Sequence, residues 1–110
     1  MRSVLLCLLL IVSALLAGCG ESEGEGACGA HYDMLTTVYE DEYKKLTSGK
    51  YVKATFDARI AKLQKYGEEL KAKYPDVSDW DAPSSGSRKE DYDKYLSAKQ
   101  IFEDELKKRR

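Results

Sequence analysis

The stretch HYDMLTTVYEDEYKKLTSG, residues 31–49, decides the fold that this sequence predicts. Large apolar or aromatic side chains recur along it at steps of three and four residues, namely Tyr32, Leu35, Tyr39, Tyr43 and Leu46. That spacing places all of them on one face of an α-helix and leaves most charged side chains on the other. Ser48 and Gly49 then supply a C-terminal stop. The stretch therefore predicts an amphipathic helix over about 31–47.

The next segment downstream carries the same kind of pattern. Between about 50 and 74, one helical face collects Val52, Phe56, Ile60, Leu63 and Leu70. Gly67 also lies on this face, where it weakens the helix by about 1 kcal/mol relative to alanine but leaves room for a neighbouring helix. Pro75 disfavours helical geometry at Tyr74, so we expect the second helix to end at that tyrosine.

A loop over residues 75–87, PDVSDWDAPSSGS, precedes a third amphipathic segment. Ser87 and Glu90 have the spacing of a capping box, which predicts a helix over about 87–108. Its apolar face consists of Tyr92, Tyr95, Leu96, Phe102 and Leu106. Three such helices with one short and one longer connection predict an all-α fold, a small three-helix antiparallel bundle within a helical domain of residues 31–110.

Trp80, the single tryptophan, lies in the middle of the loop and has two interpretations. It folds back on the bundle as a lid that contributes a large apolar area, or it stays exposed as an anchor for a partner. Each tyrosine of the apolar stripes needs a hydrogen-bond partner or water for its hydroxyl, so the core is shallow or part of it faces a partner. The candidate partner-binding residues are Trp80, Tyr39, Tyr43, Tyr92 and Tyr95.

The N-terminal segment differs in composition from the rest of the chain. Residues 1–18, MRSVLLCLLLIVSALLAG, combine one cation, Arg2, with an almost unbroken apolar run. The run has the length of a signal-peptide core and is shorter than the roughly 20 residues of a membrane-spanning helix. It leads into Leu16-Ala17-Gly18-Cys19, an aliphatic residue, two small residues and a cysteine. This motif resembles the lipobox of bacterial lipoproteins; an ordinary secretory signal beside a cysteine is the alternative.

The resemblance covers the signal segment alone and implies a specific modification. The chain is cleaved between Gly18 and Cys19, and Cys19 receives a diacylglyceryl thioether and an N-acyl chain, with no other cofactor. Several acyl chains hold a protein at a membrane in an effectively permanent way. Gly20 is similar to the residue at this position in lipoproteins sorted to the outer membrane. The implied location is the cell envelope, at the periplasmic face of the outer membrane in a host with two membranes.

The segment between the lipobox and the first predicted helix suggests a linker. Residues 19–30, CGESEGEGACGA, are rich in glycine and glutamate and lack bulky apolar side chains, which predicts a flexible acidic tether. Since Cys7 leaves with the signal and Cys19 carries lipid, Cys28 is the free thiol of the exported chain. It forms an intermolecular disulfide with a second copy or a partner, or is an incidental thiol on the tether. His31 is expected to be solvent-exposed in the first helical turn.

Charge and motif content exclude several classes of function. The chain has 18 basic and 19 acidic residues, so no strong overall field favours nucleic acid or an anionic bilayer. It contains no serine or cysteine nucleophile set that a rigid scaffold would hold, no glycine-rich phosphate loop and no metal-ligand set. We therefore expect neither an enzyme nor a metal site.

A small helical domain at a membrane surface suggests a binding or scaffold module for an envelope protein. Lipoproteins that act as pilots for secretion channels, or in immunity and exclusion, share this layout, although no motif in the domain supports either. Self-association is the other expected partnership. The alternative is a structural role in which the basic C-terminus, KKRR at 107–110, contacts anionic wall polymer or lipopolysaccharide.

Overall fold

The computed structural model describes residues 22–109, and these form three helices. Helix α1 spans Glu23–Thr47, α2 spans Lys53–Lys73 and α3 spans Ser87–Lys108. No strand occurs within the described range. The predicted all-α three-helix bundle is therefore confirmed. The signal segment and its lipobox lie outside the described residues, and the predictions made on them stay predictions.

α2 runs antiparallel to α1, as two contacts at different heights show. In the first half of α1, His31 Nε2 lies 2.8 Å from the carbonyl oxygen of Leu63, at the middle of α2. Further along α1, the Tyr39 ring packs against Phe56 in the first turn of α2, with ring centroids 5.6 Å apart. Later positions of α1 therefore meet earlier positions of α2.

α3 runs parallel to α1 and completes an up-down-up bundle. The Tyr32 ring lies 4.9 Å from the ring of Tyr92, near the start of α3. The Tyr39 ring lies 5.6 Å from that of Phe102, three turns further along α3. α1 thus packs against both other helices along most of its length.

α1 begins at Glu23, and the predicted flexible tether is wrong for residues 23–30. The hydroxyl oxygen of Ser22 accepts a hydrogen bond from the backbone N–H of Glu25 at 3.2 Å, which caps the helix. Glu23 and Glu25 lie in the first turn, where their charges complement the positive end of the helix dipole. The sequence predicts a start at about residue 31 because the glycine and glutamate of residues 19–30 are typical of a linker.

Two glycines of this segment are packing positions. A Cβ on Gly24 would lie 2.8 Å from Val77 Cγ2, and one on Gly29 would lie 2.7 Å from Asp91 Oδ2. Without a Cβ, these residues let the loop after α2 and the start of α3 approach the α1 backbone closely. The contacts offset the helical cost of glycine, which explains why the segment is folded.

α1 ends in a Schellman motif, and this sets the start of α2. Gly49 has a positive φ of 76°, and the N–H of Lys50 donates to the carbonyl of Lys45 at 2.8 Å. Since Lys50 belongs to the end of α1, α2 begins only at Lys53, rather than at about residue 50 as predicted. α2 ends at Lys73, one residue earlier than predicted.

α3 begins at Ser87, directly after a position where the backbone conformation requires glycine. Gly86 occupies the N-cap position with a φ of 78°, whereas the predicted capping box placed Ser87 there. This left-handed backbone turns the chain from the loop into the helix and favours glycine over any other residue.

Apolar side chains form two clusters along the bundle. The cluster near the start of α1 contains Cys28, Tyr32, Leu35, Leu70 and Trp80. The cluster near its end contains Tyr39, Leu46 and Phe102. Ile60 and Tyr95 pack against both clusters and join them. The rings of Tyr32 and Tyr39 are buried in these clusters, and burial raises the pKa of Tyr39 to about 12.

His31 is buried between α1 and α2, so its predicted exposure is wrong. Only 6% of the residue is exposed, and a Cβ on Gly67 would lie 2.8 Å from its ring. Its Nε2 donates to the Leu63 carbonyl, because a carbonyl oxygen only accepts. The glycine in the apolar stripe of α2 thus accommodates an imidazole ring.

Candidate docking groove

The structure places Trp80 over the first apolar cluster, with only 4% of the residue exposed. Its carbonyl oxygen accepts a hydrogen bond from the Tyr32 hydroxyl at 2.6 Å and a weak one from Cys28 Sγ at 3.8 Å. The lid interpretation of Trp80 agrees with this position. The alternative interpretation, in which Trp80 is an exposed anchor for a partner, is wrong for the structure described.

Cys28 lies beneath this lid and has no exposed surface. Its placement on a mobile tether was wrong, because α1 already includes it. Burial raises the pKa of the thiol above its ordinary value, and the protonated form is a poor nucleophile. In this arrangement an intermolecular disulfide through Cys28 cannot form without exposing it.

The loop of residues 74–86, which carries Trp80, is held to the helices by the guanidinium group of Arg88. Arg88, at the start of α3, forms a bidentate ion pair with Asp79, in which Nη2 lies 3.1 Å from Oδ2. Arg88 Nε lies 3.6 Å from Glu25 Oε2, so the same side chain also contacts α1. Hydrogen bonds from Arg88 and Ser84 hold the pKa of Asp79 at about 2, below its ordinary value.

A second buried polar group lies between α1 and α2. Glu42 is fully buried, and its Oε1 accepts from Arg59 Nη1 at 3.0 Å and from Lys45 Nζ at 3.2 Å. Arg59 Nη2 also lies 3.4 Å from Asp41 Oδ2. Glu42 Oε2 has no hydrogen-bond partner among the residues that the structure describes. Sequence reasoning missed this site, although Glu42 falls between Leu35 and Leu46 on the buried face of α1.

An open groove of about 670 Å³ runs between α1 and α3. It is lined by Thr36, Tyr39, Glu40, Tyr43, Lys44, Asp93, Lys94, Ser97, Ala98 and Ile101. The lining covers positions 36–44 of α1 and 93–101 of α3, a length of about 12 Å or two helical turns. His31 and Glu42, which contact α2, lie on the other side of α1, so the groove is on the face away from α2.

The groove has an apolar floor and a charged rim. Tyr39, Tyr43, Ala98 and Ile101 supply the apolar surface. Ile101 is 55% exposed and adjoins the other apolar side chains of the groove, so the apolar surface there is contiguous, as at surfaces that bind a partner. On the rim, Glu40 and Lys44 stand on α1 and Asp93 and Lys94 stand on α3, so each wall has one acid and one base.

Two of the five predicted partner-binding residues line this groove. Tyr43 forms part of its wall, and Tyr39 forms its floor with 7% of the residue exposed. Tyr92 and Tyr95 pack instead on Tyr32, with ring centroids 4.9 Å and 5.3 Å away, and serve the core. Helical periodicity places a tyrosine on the inner face but does not tell whether a helix covers it. Ile101, the most exposed apolar residue of the groove, was not among the predicted residues.

The described residues contain neither a membrane-spanning helix nor a metal-binding cluster. None of the helices within residues 22–109 is long and apolar enough to cross a membrane. In the same range, no group of three or more histidine, cysteine, aspartate or glutamate side chains is arranged to hold a metal ion. No protein-family model, curated protein or solved structure matches the chain.

Proposed function

We propose that this chain is a lipid-anchored docking module of the cell envelope, and that its α1–α3 groove binds an amphipathic helix of another envelope protein. The observation that carries the proposal is the groove itself, an apolar channel with Ile101 exposed and no helix of the described chain over it. The anchoring rests on Leu16-Ala17-Gly18-Cys19 and its resemblance to a lipobox.

The shape of the groove favours a helix as its occupant. Two packed helices present ridges and a furrow into which the side chains of another helix fit. A length of about 12 Å accommodates two turns, so two or three apolar anchors at helical spacing would fill it. The bound segment would lie where a fourth helix lies in a four-helix bundle.

The rim charges favour a partner of mixed charge. Since each wall carries one acid and one base, a polymer of one sign would meet as many like charges as opposite ones. An amphipathic helix with both signs on its flanks avoids that conflict. The contact should survive about 0.5 M salt, because burial of apolar surface is not screened.

The alternative, in which the basic C-terminus binds an anionic polymer, has less support. Lys108 and Arg109 both lie within ion-pair distance of Glu105, at 3.9 Å and 3.0 Å. These pairs partly neutralise the positive charge, and cations in the last turn also complement the helix dipole.

Ile101→Lys is expected to abolish partner binding without unfolding the bundle, because Ile101 is a solvent-exposed anchor at the groove. The measurement is photocrosslinking in intact cells, with a photoreactive residue at Lys94 on the rim. We expect one main adduct, reduced at least about tenfold by Ile101→Lys, since a buried charge destroys an apolar contact. Mapping the adduct should identify an amphipathic helix in the partner.

Leu96→Lys is the matched control, because Leu96 is a 42% exposed apolar residue of α3 that does not line the groove. This variant should retain the adduct. Equal loss of the adduct in both variants would contradict the groove as the binding site. An adduct made only of two copies of this chain would contradict a heterologous partner and assign the groove to self-association.

Cys19→Ser is expected to remove the lipid anchor and to leave the signal segment uncleaved, because the serine hydroxyl cannot take the thioether-linked lipid. Fractionation of cells and the mobility of the chain on a denaturing gel measure both effects. Ser22→Ala, a small change close to the same site, should remain lipidated and membrane-bound. A Cys19→Ser chain that is still cut after Gly18 and still sediments with membranes would refute the anchoring.

A further inference from the structure

The loop of residues 74–86 is folded on itself as well as on the bundle. Asp79 Oδ2 accepts hydrogen bonds from the Ser84 backbone N–H at 3.1 Å and from the Ser84 hydroxyl at 3.0 Å. The N–H of Ala82 donates to the Asp79 carbonyl at 3.3 Å. These bonds join residues of the loop to one another, so separation of the loop from the helices does not require that they break.

Few polar contacts hold the loop to the helices beneath it. The Trp80 carbonyl accepts hydrogen bonds from Tyr32 and Cys28, and the Tyr74 hydroxyl donates to Glu23 Oε1 at 3.0 Å on the exposed surface. The main charged contact is the ion pair between Asp79 and Arg88. Lys71 of α2 pairs with Asp81 at 2.5 Å, but Asp81 is 84% exposed and such a pair contributes little. Arg88 is only 8% exposed, so of the two ion pairs that hold the loop, the one with Asp79 is weakened less by water.

The closed loop also leaves two buried polar atoms without partners. Trp80 Nε1 and His31 Nδ1 have no hydrogen-bond partner within residues 22–109. The two rings face the same cluster, with centroids 6.4 Å apart. Because water hydrates Trp80 Nε1 once the loop lifts, this unmet hydrogen bond favours the open loop. The apolar burial of the indole favours the closed one.

We propose that residues 74–86 form a latched lid, which opens as a unit when the Asp79–Arg88 ion pair breaks while the three helices stay folded. The two interpretations of Trp80 then describe two states of one loop. In the closed state the indole covers the first apolar cluster, and in the open state it is presented to solvent. Cys28 becomes accessible at the same time, so any disulfide that it forms with another protein requires the open lid.

The reactivity of Cys28 measures the opening. The experiment uses the full chain in mild detergent with Cys7→Ser and Cys19→Ser, which leaves Cys28 as the only thiol. An aromatic disulfide reagent reacts with the Cys28 thiolate: the reagent's S–S bond breaks, a mixed disulfide forms, and a coloured thiolate leaves. The labelling rate is followed in increasing urea below the unfolding transition, and global unfolding is followed separately by circular dichroism.

A lid that opens locally predicts a labelling rate that hardly changes with urea, because little surface is exposed in the opening. Asp79→Asn should raise the rate about tenfold or more, since it removes the charge from a bidentate pair. Asp57→Asn, which removes the exposed carboxylate paired with Lys53 on α2, should leave the rate unchanged. A rate that rises with urea as steeply as global unfolding, or that is unaffected by Asp79→Asn, would overturn the lid.

Discussion

Arg59→Ala is expected to lower the free energy of unfolding by about 3 kcal/mol, because it leaves the fully buried carboxylate of Glu42 without its main counter-ion. Lys45 remains within 3.2 Å and Arg59 is itself a third exposed, so the effect falls at the lower end of the range for broken buried ion pairs. Urea denaturation followed by circular dichroism measures it. The exposed pair of Lys89 and Asp93 supplies the control, since Lys89→Ala should cost no more than about 0.5 kcal/mol.

A second substitution tests the cause of this loss. In the double variant Arg59→Ala with Glu42→Leu, no carboxylate remains to be buried and the leucine adds apolar surface at the interface of α1 and α2. We expect the double variant to be more stable than Arg59→Ala alone. If the two are equally unstable, the lost stability comes from the packing of the Arg59 side chain and not from the charge of Glu42.

Phe102→Ala is expected to lower the free energy of unfolding by about 3–5 kcal/mol, the range for truncating a buried phenylalanine. Phe102 is 1% exposed and contacts rings from α1 and α2, with centroid distances of 5.6 Å to Tyr39 and 4.8 Å to Phe56. Its removal therefore opens a cavity where all three helices meet. Thermal and urea unfolding provide the measurement.

Leu96→Ala is the comparison for Phe102→Ala, because both residues lie on α3 and only Phe102 is buried. Truncation of the exposed leucine should cost less than about 1 kcal/mol. A loss for Phe102→Ala as small as that of Leu96→Ala would mean that α2 does not pack on α3 at this height, and would contradict the second apolar cluster.

The three helices could be predicted because their signals are local. Tyr32, Leu35 and Tyr39 repeat at helical spacing, and such a repeat needs no knowledge of what the helix packs against. The breaks are equally local: Gly49 ends α1 through its positive φ, and Pro75 limits α2. With three amphipathic segments and two connections, the bundle follows from short-range patterns.

The start of α1 could not be predicted because its stabilising contacts come from distant parts of the chain. Gly24 and Gly29 indicate flexibility when only their neighbours in sequence are considered. Their packing partners, Val77 and Asp91, belong to the loop after α2 and to α3. The same reason accounts for the burial of Cys28, because Trp80, which covers it, lies 52 residues further along the chain.

In the candidate sites too, local sequence patterns predict part of the structure, and contacts between distant residues determine the rest. Helical periodicity places Tyr39 and Tyr43 on the apolar face of α1. It does not tell whether another helix covers that part of the face or leaves it as an open groove. Glu42 stands in the apolar stripe of α1, and a charge at that position was a signal for a buried ion pair. Its partner Arg59 lies on α2, so the pairing becomes visible only in the folded bundle.

The early start of α1 limits how far the bundle can stand from a bilayer. If Cys19 carries the lipid, only three residues lie between it and Glu23, and the four steps from Cys19 to Glu23 extend over at most about 14 Å. Tyr39, at the floor of the groove, lies about 24 Å further along the helix. The binding surface would then never be more than about 40 Å above the lipid headgroups, within direct reach of a helix that belongs to a protein embedded in the same membrane.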